Sequence, residues 1–143
     1  MSDPTNNRSD ARVVKDAKVA ADWIAAALSS SGYAADFSIG SLKEIDRFFD
    51  EHAPGGKPRP GGLLSKDFGG RMFSIGAYVG EVICRRTGAQ WQGDDSDPEA
   101  EINVTVRFER GGIIWPMRRV MKRLQNGPED SIYAYGVVLV DGQ

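Results

Sequence analysis

The chain has very little of the chemistry on which many catalytic and metal sites depend. Its 143 residues include one cysteine, Cys84, and one histidine, His52. A single cysteine excludes an intrachain disulfide and favours a reducing compartment. Zinc sites need three or four ligands at defined spacing, which one cysteine and one histidine do not supply. We therefore expect neither a metal site nor a bound cofactor.

Long apolar runs and an excess of one charge are also missing. No uninterrupted apolar stretch approaches the roughly 18–20 residues of a membrane span. The formal net charge is −2, which gives no general attraction to nucleic acid or to an anionic membrane. Residues 1–10 are polar and lack the apolar centre of a signal peptide. We expect a cytoplasmic protein that binds no membrane, and nucleic acid is a disfavoured partner.

The length suits one domain with a substantial core. Residues 1–10 predict a disordered tail, because they contain almost no apolar side chain. Residues 11–143 predict a single α+β domain in which three or four helices pack on a small antiparallel sheet. The sheet is expected around 101–115, where 101–108 alternates between apolar and polar residues and 113–115 can return as a hairpin.

Helical periodicity is clearest in the first and central segments. The first helix is expected to begin near Ser9 or Asp10, either of which can cap it, and its inward stripe includes Trp23. The central helix is expected over 63–87 and is followed by Gly88, the usual residue after a helix end. A helix also follows Pro116. Residues 129–139 combine a helix start signal with strand composition, and we favour a helix.

Gly76 and Gly80 lie one turn apart in the central helix. Glycine inside a helix costs about 1 kcal/mol relative to alanine, so both positions need a reason. Close packing of a neighbouring element, such as the first helix, is the favoured explanation. A backbone surface bared for a ligand is the alternative.

Glu81 shares a helix face with Tyr78 and Arg85. A solvated Glu81–Arg85 pair at i,i+4 spacing is the commoner arrangement. As a catalytic acid or base, Glu81 would need a cleft and a second titrating group. A dyad of His52 and Cys84 is disfavoured, because Cys84 lies among apolar residues where an inert thiol is common.

Two segments carry charges of opposite sign. Residues 93–100 form an acidic loop that we expect to be solvated. The helix after Pro116 carries four basic residues and no acidic one: Arg118, Arg119, Lys122 and Arg123. These side chains form either a solvated face or a partner site beside Trp115. Trp91 and Trp115 are each either an interface anchor or a core residue.

Three segments resemble a group of small bacterial proteins of uncharacterised function. The segments are SLKEIDRFFD (41–50), GAYVGEVICRRTGAQW (76–91) and PMRRVMKRLQNGPEDS (116–131). In that group a G-A-Y-x-G-E helix precedes a G-A-x-W segment, and a P…K-R-L-x-N-G-x-E-D-S stretch follows. The resemblance implies a bacterial cytoplasmic setting and a helix after Pro128. It carries no catalytic assignment.

Two functions therefore stay open. The first is a non-catalytic interaction protein, such as an adaptor or an immunity-type inhibitor, with a protein partner. The residues expected to bind that partner are Tyr78, Glu81, Trp91, Trp115, Arg118, Arg119 and Lys122. The second is a small hydrolase or ligand-binding enzyme with Glu81 as acid or base. The oligomeric state is left open.

Overall fold

The computed structural model of the protein describes residues 6–143. Within that range there are six α helices rather than the three or four expected, and one three-stranded sheet. The helices are α1 (Arg12–Ser30), α2 (Leu42–His52), α3 (Phe68–Thr87), α4 (Ala100–Asn103), α5 (Pro116–Asn126) and α6 (Ile132–Asp141). The strands are β1 (Gln90–Gln92), β2 (Thr105–Arg107) and β3 (Ile113–Ile114), antiparallel in the order β1-β2-β3. The predicted mixed α and β class is confirmed.

Helix α3 lies at the centre of the fold. Its residues 74–80 are buried without interruption, so the helix is covered on every side through this stretch. The helix begins at Phe68, not at residue 63 as predicted. Asp67 has a left-handed backbone (φ 47°), and its carbonyl accepts from the Arg71 amide, which sets the first turn. The end at Thr87, followed by left-handed Gly88, is as predicted.

The sheet is built from shorter strands than the sequence predicts. In the expected strand 101–108, the first residues instead form α4, and only Thr105–Arg107 pair as β2. Hydrogen bonds to Asp97 explain the helical turn. Its carboxylate accepts from the Glu99 amide and from the Asn103 side chain, and these contacts hold the residues between them in a turn. Ile102, expected to point inward, is consequently 53% exposed. The hairpin with β3 is confirmed, whereas β1 was not predicted.

The buried face of the sheet consists of one residue from each strand. Trp91 is paired with Val106, which is paired with Ile114, and all three are buried. They pack in one apolar cluster with the first half of α1. A second cluster joins the second half of α1 to α2, α3 and α6. The opposite face of the sheet is polar and carries Gln92 and Arg107.

The acidic loop supplies the cap of α1, a role that the sequence assigned to Ser9 or Asp10. The Asp95 carboxylate accepts from the Arg12 amide at 2.7 Å and from the Val13 amide at 3.0 Å. These two hydrogen bonds lower the pKa of Asp95. The loop is therefore attached to the helix through Asp95, and is not simply solvated.

Part of the predicted tail is paired with the sheet end. Residues 1–5 lie outside the described residues. Arg8 exchanges two backbone hydrogen bonds with Gly93, next to the end of β1. A side chain at Gly93 would overlap Val13, so the chain passes close over α1 at this point.

Asp46 of α2 joins three helices. Its carboxylate pairs with Arg123 of α5 at 2.9 Å. It also accepts from the backbone amides of Ile132 and Tyr133, the first two residues of α6. The Arg123 side chain is 3% exposed and also contacts Asp50 at 2.7 Å. Helix α6 confirms the helix favoured for 129–139. Ser131 is its N-cap and accepts from the Ala134 amide, and Asp46 accepts from the two amides before it.

Gly76 and Gly80 of α3 do allow close packing, but against other elements than the first helix. A Cβ on Gly80 would overlap the Trp91 indole, and one on Gly76 would lie 2.9 Å from the Met117 backbone. Pro116 also lies against Gly80. The two glycines therefore allow β1 and the start of α5 to pack closely against α3.

We expect Gly80→Ala to lower the free energy of unfolding by about 1–3 kcal/mol, because the added methyl overlaps a buried indole. Gly69→Ala is the matched control in the same helix, since a Cβ there meets nothing within 4 Å. It should leave stability unchanged or raise it by up to about 1 kcal/mol. Urea unfolding of both variants measures the difference; equal stabilities would contradict this packing.

We expect Asp46→Ala to destabilise the protein by about 2 kcal/mol, because it removes one of the two carboxylate partners of the buried Arg123 and the acceptor of the Ile132 and Tyr133 amides. Asp50→Ala removes the other carboxylate partner of Arg123. Because the Asp50 side chain is 52% exposed, this substitution should lower the free energy of unfolding by less than about 1 kcal/mol. Thermal and urea unfolding compare them. A larger loss of stability for Asp50→Ala than for Asp46→Ala would contradict the role of Asp46 in joining α2, α5 and α6.

Candidate functional site

Glu81 is held by two internal donors. The Trp91 indole N–H donates to Glu81 Oε1 at 3.0 Å, and Arg85 Nε donates to Oε2 at 3.0 Å. The pair with Arg85 is the one predicted, but the Glu81 side chain is only 14% exposed. Because both carboxylate oxygens are occupied, the geometry gives Glu81 a positioning role for Trp91.

Cys84 borders a small hollow of about 290 Å³ beside Glu81 and Lys18. Burial, and then the charge of Glu81, raises the pKa of the Cys84 thiol to about 12. A thiol that stays protonated is a poor nucleophile and a poor metal ligand. The geometry therefore gives no support to a catalytic thiol at this position.

His52 is built into the core around Phe48 and Tyr33. Its ring centroid lies 4.8 Å from that of Phe48, and its Nδ1 accepts from the Leu63 amide at 3.2 Å. Burial, followed by the positive charge of Arg59, lowers its pKa. His52 is thus a neutral acceptor that holds the loop before α3.

Tyr78 is fully buried and is not available to a partner at the surface. Its hydroxyl is 2.6 Å from Ser41 Oγ and accepts from the Phe37 amide at 3.0 Å. The ring of Phe37 packs on the ring of Tyr78. The Arg85 guanidinium lies over the Phe37 ring, 3.7 Å from its centroid. Tyr78 therefore fixes the segment that leads into α2.

The three tryptophans have different environments. Trp91 is 2% exposed and fills the space over Gly80, so it is a core residue. Trp115 is 40% exposed at the start of α5. Trp23, which the sequence placed in the inward stripe of the first helix, is 52% exposed.

The basic residues of α5 do not form one patch. Arg123 is buried against Asp46, and Arg119 lies over the Tyr135 ring at 4.6 Å and donates to the Asp130 carbonyl. Arg118 and Lys122 remain exposed. Of the residues predicted to bind a partner, the structure therefore leaves Trp115, Arg118 and Lys122 at the surface.

These three residues border two neighbouring concavities. The first, which we call the methionine groove, has a volume of about 860 Å³ and lies between α3, α4 and α5. Its apolar walls are formed by Phe68, Met72, Phe73, Ile102, Met117 and Met121. Every methionine other than Met1 is in this set. Methionine side chains adapt to the shape of what they contact, which suits an apolar binding surface.

The methionine groove carries opposite charges on its two sides. Arg118 and Lys122 line it from α5, and Glu99 and Glu101 from α4 and its cap. None of Lys122, Glu99 and Glu101 takes part in an ion pair with another of the residues 6–143. These charges are therefore available to a second molecule.

The second concavity, the sheet-face cleft, has a volume of about 820 Å³. Its floor is the outer face of the sheet, with Gln92, Thr105 and Arg107. The acidic loop and Asn103 form one wall, and Trp115 with Arg118 forms another. Arg118 lines both concavities.

The sequence pattern indicates residues at the edges of these concavities but not those of their interiors. Met117 and Met121 both lie on α5, and Met121 is only half-buried. The signal that could have indicated the groove is compositional. Two methionines four residues apart beside basic residues suggest an adaptable apolar surface with a charged edge.

The raised pKa of Cys84 predicts slow alkylation in the folded protein. We expect iodoacetamide at about pH 8 to react at least about a hundredfold more slowly with the native protein than with the unfolded chain, because so little thiolate forms. Mass spectrometry of quenched samples, with and without urea, follows the reaction. Equal rates in both conditions would contradict the buried thiol.

No protein-family model matches the chain, and neither a curated protein nor a solved structure shows significant similarity to it. The resemblance on 41–50, 76–91 and 116–131 therefore stays a prediction. Among residues 6–143 there is no group of three histidine, cysteine or acidic side chains arranged to hold a metal ion. In the same range, no helix has the length and apolar character needed to cross a bilayer.

Proposed function

We propose that the protein is a non-catalytic interaction protein that binds an amphipathic helix of a partner protein in the methionine groove. The observation that carries this proposal is the groove itself: six apolar side chains, three of them methionines, line a concavity that includes the 53% exposed Ile102. Helix-in-groove recognition uses such surfaces for apolar anchors at i, i+3, i+4 and i+7 spacing.

The charges of the groove specify the edges of that helix. A bound helix would have acidic residues on the edge that faces Arg118 and Lys122, and basic residues on the edge that faces Glu99 and Glu101. Such charge complementarity mainly determines orientation and the choice of partner. A helix with the reversed arrangement would place like charges together and would be rejected.

The geometry around Glu81 favours this proposal over a hydrolase. Both oxygens of its carboxylate accept internal hydrogen bonds, and the adjacent thiol of Cys84 is held in its neutral form. Neither group offers the free acid, base or nucleophile that hydrolysis requires. The single cysteine, which leaves no intrachain disulfide, supports the cytoplasmic setting as part of this proposal.

A phage library of helical peptides tests the groove directly. We expect enriched peptides to be amphipathic helices with the two charged edges described above. Ile102→Glu should weaken their binding by about tenfold or more, because it places a charge in the apolar surface. Ile102 is exposed, so the substitution should leave the fold intact, which circular dichroism and thermal unfolding can check.

Val19→Glu is the matched control, because Val19 is 70% exposed on α1 and does not line the groove. It should leave peptide binding unchanged. A library that yields no amphipathic helix, or peptides that bind Ile102→Glu as well as the unmodified protein, would overturn the proposal.

A further inference from the structure

The sheet-face cleft has a different chemistry from the methionine groove. Its floor is the polar outer face of the sheet, and its main apolar surface is the ring of Trp115 together with Ile113. The volume of about 820 Å³ lies within the range of small-molecule sites. The question is which class of molecule this mixture of groups would bind.

The charges of the cleft favour a ligand without net charge. Asp94 and Asp97 line the cleft together with Arg107 and Arg118, so acidic and basic side chains are present in equal number. An anion attracted by the guanidinium groups would also be repelled by the carboxylates, and a cation attracted by the carboxylates would be repelled by the guanidinium groups. A neutral ligand meets neither penalty.

The polar groups include both donors and acceptors. Gln92 contributes an amide with both functions, Asp94 accepts, and Arg107 donates. A hydroxyl group donates one hydrogen bond and accepts others, so a ligand with many hydroxyls can satisfy such a mixed surface. Ligands with only one kind of group would leave some of these side chains unpaired, at a cost in affinity.

One wall of the cleft is already ordered. Asn103 donates to Asp97 at 2.9 Å, and its carbonyl oxygen accepts from Arg118. Arg118 in turn lies 5.5 Å from the centroid of the Trp115 ring. The chain of contacts holds these side chains without a ligand, which reduces the ordering cost of binding.

We propose that the sheet-face cleft is a binding site for a neutral saccharide. The C–H face of a sugar ring would pack on the exposed indole of Trp115, and the hydroxyls would bond to Gln92, Arg107 and Asp94. Aromatic side chains with a free face supply apolar contact at low conformational cost. The proposal can be tested separately from the helix-binding groove, because Trp115 and Gln92 do not line that groove, although Arg118 lines both concavities.

The experiment is a titration of the ¹⁵N-labelled protein with neutral disaccharides: maltose, cellobiose, lactose and N,N′-diacetylchitobiose. Binding is followed at the Trp115 indole N–H and on an array of neutral and acidic glycans. We expect at least one neutral saccharide to shift that signal. Trp115→Ala should weaken its binding by about tenfold or more.

Two matched pairs separate the site from the rest of the surface. Gln92→Ala should weaken binding, whereas Gln90→Ala, on the same strand but outside the cleft, should not. Trp23→Ala, an exposed tryptophan on α1 outside the cleft, should also leave binding unchanged. The proposal is overturned if no neutral saccharide binds, if only phosphorylated, sulfated or carboxylated glycans bind, or if Trp115→Ala binds as before.

Discussion

The seating of the Trp91 indole against Gly80 is the contact on which the arrangement of the other elements depends. It joins the central helix to the sheet, and Pro116 packs against the same glycine. Met117, one residue later, lies against Gly76. The start of α5 is therefore fixed by the backbone of α3. Because Trp115 and Met117 flank that start, this contact also sets the positions of the sheet-face cleft and the methionine groove.

The reactive side chains of the chain are used inside the fold. Glu81 orients the Trp91 indole, His52 accepts a backbone amide, and the thiol of Cys84 stays protonated. Tyr78 holds the entry to α2 through its hydroxyl. The side chains exposed around the two concavities include apolar groups, amides and the charges of Lys122, Glu99 and Glu101, which have no ion-pair partner among residues 6–143. The proposed helix binding rests on these exposed groups.

Local periodicity predicted the helices well, because each has a stripe or a terminal residue that acts within a few positions. The end of α3 at Gly88 and the helix after Pro128 are examples. The failures involve partners that are distant in sequence. Asp95 caps a helix that begins 83 residues earlier, and Asp97 with Asn103 turns a strand pattern into α4. Of the residues predicted to bind a partner, Trp115, Arg118 and Lys122 are exposed, whereas Tyr78 and Trp91 could not be recognised as core residues until their packing was known.

The attachment of Asp95 to α1 has a consequence for selectivity. The acidic loop lines the sheet-face cleft with Asp94, Ser96 and Asp97, while Asp95, between them, accepts from the first amides of a long helix. Moving that wall outward would leave two helix amides without this acceptor, at a cost of about 1 kcal/mol. The width of the cleft is therefore coupled to the first turn of α1. A ligand too large for the existing width would lose about fivefold in affinity relative to one that leaves the wall in place.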